Sequence, residues 1–256
     1  PSATDIAFSI GVLSLLGKRI PLSLKVFLMA LAIIDDLGAI VIIAFFYSTE
    51  LSFLNLLMML VTFLILISFN KFGFKSFLPY LLLGILLWFF TYNSGIHSTI
   101  SGVLLALSIP HRENKKDFSL LLKLEHLLSP YVAFLIMPLF AFANAGVSLD
   151  NLSFEKMLNP VSFGIFSGLF FGKQLGVFIF AFLSVKFKFA EMPSDSSWVK
   201  LYGVAVLTGI GFTMSLFVGN LAFVENLQHV DAVKIGVLSG SLLSTFFGYF
   251  LLLIVT

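Results

Sequence analysis

The sequence has 256 residues, 59% of them hydrophobic and 11% charged, with mean hydropathy +1.07, 32 Phe, no Cys and a formal net charge of +2. Soluble globular chains carry about 25% charged residues, and 13 acidic plus 15 basic side chains are too few to cover a water-facing surface of this size. A soluble domain, a disulfide framework, a thiolate metal site, a Cys nucleophile and a nucleic-acid partner are all excluded on these grounds.

A bilayer core of ~30 Å takes about 20 apolar helical residues per crossing, and the apolar runs are continuous rather than alternating, which disfavours a β-barrel. The chain reads as one all-α, polytopic transmembrane domain over 1–256. Nine spans are predicted, roughly at 1–16, 22–47, 51–69, 77–92, 95–110, 127–145, 161–185, 199–223 and 233–255. If all nine cross, one side receives Lys18, Arg19, Lys25, Lys71, Lys75, Arg112, Lys115, Lys116, Lys123, Lys186, Lys188 and Lys200, and the other only Lys156 and Lys234. The basic side is the cytoplasmic one, so the C-terminus is predicted to be cytoplasmic. The longest loop, 111–126, starts polar and continues amphipathic; it reads either as lying along the interface or as the anchoring end of the next helix. Opening at Pro1 without Met, basic flank or cleavage motif, the chain reads as part of a longer protein.

The first span carries a PSATD cluster that favours an interrupted helix and places Asp5 inside an apolar segment. The second holds AIIDDLGAI, two carboxylates at mid-span, Asp35 and Asp36. A charge there costs ~2.5 to 3.5 kcal/mol on insertion scales and survives when it faces a cavity, finds a partner or does work. Successive helical positions lie ~100° apart, so the two acids face different surroundings. Carboxylates of this kind exchange protons, and their deprotonated oxygens are hard ligands for a small hard cation. One site can therefore hold either, which is sufficient for obligatory exchange if it opens alternately to each side. In the fifth span His97 reads as an interfacial histidine or a neutral-pH titrating group. Lys123, Glu125 and His126 read as a pH-responsive cluster or as ordinary loop charges. Pro138 and Asn144, in the sixth, read as a kink and an interhelical hydrogen bond.

Lys173, midway along the seventh span, is a counter-charge for the acids, the alternative being a lysine snorkelling to the interface. Gly164, Gly168, Gly172 and Gly176 repeat every four residues along the same helix, as do Gly236, Gly240, Ser244 and Gly248 in the last. Both stripes are predicted to admit a close neighbouring backbone. The eighth span contains LTGIGFTMS, where Gly209, Gly211 and the hydroxyls of Thr208, Thr213 and Ser215 predict a second interruption. Half-helix ends at the midplane present partial charges, the arrangement of a transporter site.

ATDIAF at 3–8, FLMALAIIDDLGAI at 27–40, SGIHSTISGV at 94–103, MPLFAFANAGVSL at 137–149 and GIGFTMSLF at 209–217 closely resemble the bacterial NhaA-type sodium/proton antiporters. The similarity runs over the whole chain, with the double Asp, FANAG and GIGFTMS the most specific blocks. It implies a twelve-helix, inverted-repeat transporter of the bacterial cytoplasmic (inner) membrane, with two interrupted helices crossing at mid-membrane. The implied activity is electrogenic, pH-regulated export of Na+, or Li+, against a larger number of H+, serving sodium and pH homeostasis, with no cofactor and no enzymatic chemistry. By matching position, Asp36 is implied as principal cation ligand and Asp35 as its neighbour, pairing with Lys173 when no cation is bound. Thr4 and Asp5, and 209–215 with Gly209, Gly211 and Thr213, correspond to the crossing segments, where Asp5 and Lys173 compensate the helix dipoles. Lys123, Glu125 and His97 are implied in pH response. Gln174 stands where relatives commonly have Pro, and Ser129 where many have His. The family's first three helices, with its dimerising hairpin, and the outer part of the fourth have no counterpart in the sequence, so the chain alone is not expected to transport.

Two other functions use the same residues. A cation channel would need a symmetric ring of acids, whereas these are single. A sodium-coupled organic-anion symporter would need Arg or polar side chains in a substrate cavity, and no Arg lies inside a predicted span.

Overall fold

The structure, a computed structural model, describes residues 3–47, 51–74, 76–111, 119–146, 159–223 and 227–255. Lys75, Arg112, Lys115, Lys116 and Lys156 of the basic-residue count, and the polar start of the 111–126 loop, lie outside the described residues. Hydrocarbon offers backbone amides no partner, so apolar runs satisfy themselves as helices. All regular structure among the described residues is helical: α1 Ile6–Leu15, α2 Leu22–Phe46, α3 Phe53–Lys71, α4 Phe77–Asn93, α5 Thr99–Ser108, α6 Leu120–Asn144, α7 Pro160–Lys186, α8 Trp198–Leu207, α9 Phe212–Ala222 and α10 Leu227–Val255. Each of the nine predicted stretches overlaps one of these, the eighth overlapping both α8 and α9.

Among the described residues, five helices are long and apolar enough to cross a membrane, and α8 with α9, bent by 45° at the break between them, makes a sixth. Three predicted spans are shorter than a crossing: α1 and α5 have 10 residues and α4 has 17. In α1 the cause is Ala3 to Asp5, which are not helical. In α5 it is a turn around Gly95, whose φ of +85° is the left-handed conformation that favours glycine. Helix α6 starts at Leu120 instead of 127, so the second half of the amphipathic stretch is the anchoring end of that helix. Pro130 within it lacks the amide that would continue the ladder, and the next turn, Val132–Ile136, widens to π geometry.

The chain divides into two compact units, Pro1–Ala39 with Pro138–Thr256, and Ile40–Met137. In the first, Leu13, Leu24 and Leu28 pack with Leu201, Leu207 and Leu252, bringing α1, α2, α8 and α10 together. Ile165, Leu169, Leu216, Val233 and Val237 form a second cluster from α7, α9 and α10. In the other unit Leu66, Tyr80, Leu87, Ile109 and Leu124 are the core, and the Ser52 amide donates to the Ser94 carbonyl at 3.0 Å, tying the start of α3 to the end of α4. Large apolar side chains remain outside, with Phe134, Phe142 and Ile254 at 85%, 88% and 83% exposure, a surface suited to lipid rather than water.

Lipid tails are as apolar as leucine, so helices associate through close packing and polar bonds. The two small-residue stripes use this differently. On α10 a Cβ at Gly236 would lie 2.6 Å from the Ser162 carbonyl oxygen, and one at Gly248 2.6 Å from Leu207, so this stripe is the close-packed seam of the prediction. On α7 a Cβ at Gly164, Gly168 or Gly176 would meet nothing within 4 Å among the described residues. Among the described residues that stripe brings no backbone near, and Gly168, Gly172 and Gly176 line a cavity instead.

Candidate functional site

Two non-helical segments meet in the first unit: Ala3 to Asp5, leading into α1, and Thr208 to Gly211, between α8 and α9. The Asp5 amide donates to the Ile210 carbonyl at 2.6 Å, Thr4 Oγ1 donates to the Thr208 carbonyl at 2.9 Å, and Ser215 Oγ donates to the Ala3 carbonyl at 3.0 Å. Each segment thus satisfies groups that the other's lack of helix leaves open, the condition for irregular backbone away from water. Gly209 is required there, because its Cβ would lie 2.5 Å from the Leu169 carbonyl oxygen.

Asp5, 1% exposed, serves two helix starts at once. Its Oδ1 accepts the Phe8 amide of α1 at 3.0 Å, and its Oδ2 accepts both the amide (3.0 Å) and the hydroxyl of Thr213 at the start of α9. One carboxylate therefore lies at two positive helix ends. The Gly211 and Phe212 amides donate to Ser241 Oγ of α10 at 3.1 and 3.2 Å. Ser241 is absent from the sequence-predicted site, since a partner 30 residues away leaves no local signal.

Lys173 forms a salt bridge with Asp35, the two side chains being 11% and 26% exposed. Its ammonium also donates to Thr4 Oγ1 at 3.0 Å, and the Thr4 amide donates to the same Asp35 oxygen at 2.7 Å. Thr4 links this cluster, its hydroxyl oxygen accepting a hydrogen bond from the lysine ammonium while its O–H donates to the Thr208 carbonyl. Lys173 follows a π turn, Gly168–Gly172, and its amide reaches back five residues to the Gly168 carbonyl. Beside the pair lies a cavity of about 630 Å³ lined by Leu31, Ile34, Asp35, Gly168, Gly172 and Lys173 among others. Asp36, one position on, is within electrostatic range of Asp35, Asp5 and Lys173, and its Oδ1 is buried with no hydrogen-bond partner among the described residues.

Thr4, Asp5, Asp35, Lys173, Gly209, Gly211 and Thr213 are brought together. His97, Lys123 and Glu125 belong to the other unit: His97 Nδ1 lies 3.1 Å from Thr99 Oγ1, and Lys123 and Glu125 are exposed on α6. Asn144 is bonded between helices, its Oδ1 accepting Asn220 Nδ2 of α9 at 3.1 Å. Among the described residues no three His, Cys, Asp or Glu side chains gather as a metal cluster.

Helices that turn apolar side chains outward while their buried polar groups converge on two bonded non-helical segments define a polytopic membrane protein with a broken-helix site. Comparison with known proteins agrees. The model of the family described as Na+/H+ antiporter 1 matches residues 1–252, and the chain belongs to that family. It is 68% identical to the Na(+)/H(+) antiporter NhaA of Pelagibacter ubique over 253 residues, 99% of this chain and 65% of that protein. Identity to the Na(+)/H(+) antiporter NhaA of Nitrobacter hamburgensis is 57% (98% of the chain, 62% of the relative), and to Na(+)/H(+) antiporter NhaA 2 of Klebsiella pneumoniae 53% (98% and 66%). The chain thus spans a little under two thirds of the length of these relatives.

Proposed function

We propose that the protein carrying this chain is a secondary antiporter that exchanges cytoplasmic Na+, or Li+, for external H+ across the bacterial inner membrane, with its C-terminus in the cytoplasm. The observation that carries the reading is the Lys173 and Asp35 pair held against two bonded non-helical segments. Asp35 Oδ2 is occupied by the lysine ammonium and the Thr4 amide, so a cation reaching that oxygen must displace Lys173. Asp36 supplies an oxygen that has no protein donor among the described residues, the natural first ligand. A proton or a cation on the two acids satisfies the same charge, so binding one releases the other. Asp5, fully engaged by three donors, holds the helix ends in place and is not a carrier.

The relatives' names support Na+ and H+ as the exchanged ions, and the electrogenic, pH-regulated character and a homodimer are further elements of the proposal. Single acids, rather than a symmetric ring, favour exchange over a channel. In proteoliposomes of the complete protein, an imposed sodium gradient is expected to drive proton movement in the wild type and none in Asp36→Ala. Equal exchange by the variant would overturn the assignment of Asp36.

A further inference from the structure

Beside Lys173 on α7 stands Gln174, a polar side chain only 4% exposed. Its Oε1 accepts the Tyr202 hydroxyl of α8 at 2.8 Å. The Tyr202 ring meets Phe178, one turn along α7, edge-on at 5.3 Å, and Phe178 and Phe182 both contact Trp198 of α8, so the height of α7 against α8 is fixed by rings as well as by the bond. The same two helices are joined a second time through the charged site, from Lys173 Nζ to Thr4 Oγ1 and on to the Thr208 carbonyl at the end of α8. Adjacent residues of α7 are therefore both tied to α8, one of them through the group that must let go when a cation arrives.

We propose that the Gln174 and Tyr202 bond is a latch that positions Lys173, keeping its backbone at a fixed height on α8 while its ammonium engages or leaves Asp35. The proposal rests on the antiport reading. Both partners are positioning residues, since neither touches Asp35 or Asp36 by a contact described above. With the latch intact Lys173 returns to Asp35 with little loss of freedom and opposes the cation strongly. Without it the lysine competes less well, and the cation binds more readily.

The test uses Tyr202→Phe, which keeps the ring and removes the donor, and Gln174→Met, which keeps the length and removes the acceptor. In exchange by proteoliposomes at one fixed pH, each variant should lower the half-saturating sodium concentration by about three- to tenfold, the range spanned by one hydrogen bond. The double variant should show no further fall, because the bond is lost only once. Half-saturation unchanged in both, or additive effects, would overturn the latch, as would failure of both variants to fold in saturating sodium, which would make the bond purely structural. A wild type that exchanges normally beside unaffected variants removes the latch alone, whereas a wild type without exchange removes the antiport reading itself.

Discussion

Asp5 and Thr213, 208 residues apart in sequence, are joined by two hydrogen bonds to one carboxylate oxygen, while the other oxygen caps α1. A single acid therefore fastens two helix starts. Replacing Asp5 with Ala should remove two caps and expose buried donors, costing about 2 to 4 kcal/mol if each cap is worth ~1 to 2. Thermal unfolding of the detergent-solubilised protein checks this, and Asp5→Asn, which keeps acceptor capacity, should lose less. Equal melting of wild type and Asp5→Ala would show that the caps do not hold the site.

Thr4 offers a sharper separation, because its hydroxyl links Lys173 to the Thr208 carbonyl while its amide serves Asp35. Thr4→Val keeps the shape and the amide and loses only the hydroxyl. Exchange by Thr4→Val should fall about tenfold, the cost of leaving one buried acceptor unpaired, and Thr4→Ser should recover most of it. Matching rates for Val and Ser would mean that the hydroxyl is idle.

Glycines separate packing from cavity. Gly236→Ala forces a Cβ to within 2.6 Å of the Ser162 carbonyl oxygen, and overpacking of this kind costs about 1 to 3 kcal/mol. Gly164→Ala meets open space and should leave melting unchanged or raise it, since Ala is the better helix former by ~1 kcal/mol. Reversal of that order in unfolding measurements would contradict the assignment of the α10 stripe as the seam.

These two stripes also mark where sequence reasoning stopped. Small residues at every fourth position define a smooth helix face, but the spacing is silent about what lies opposite, so identical patterns became a seam on α10 and a cavity wall on α7. The break between α8 and α9 was legible because Gly209 and Gly211 sit among hydroxyl side chains in an apolar run. Asp35, Asp36 and Lys173 stood out because burying a charge in hydrocarbon is costly. Ser241 as a cap and Tyr202 as partner of Gln174 were not legible, since each contact joins positions about 30 residues apart through tertiary packing alone. The early start of α6 was missed because Lys123, Glu125 and His126 lower the apolar signal over turns that are helical.

On the antiport proposal one site holds either a cation or protons. This is tested most directly by adding sodium to the unbuffered, detergent-solubilised complete protein and recording proton release. Wild type should release protons saturably as sodium rises, and Asp36→Ala should release none. Sodium binding without proton release in the wild type, or undiminished release in Asp36→Ala, would contradict the account.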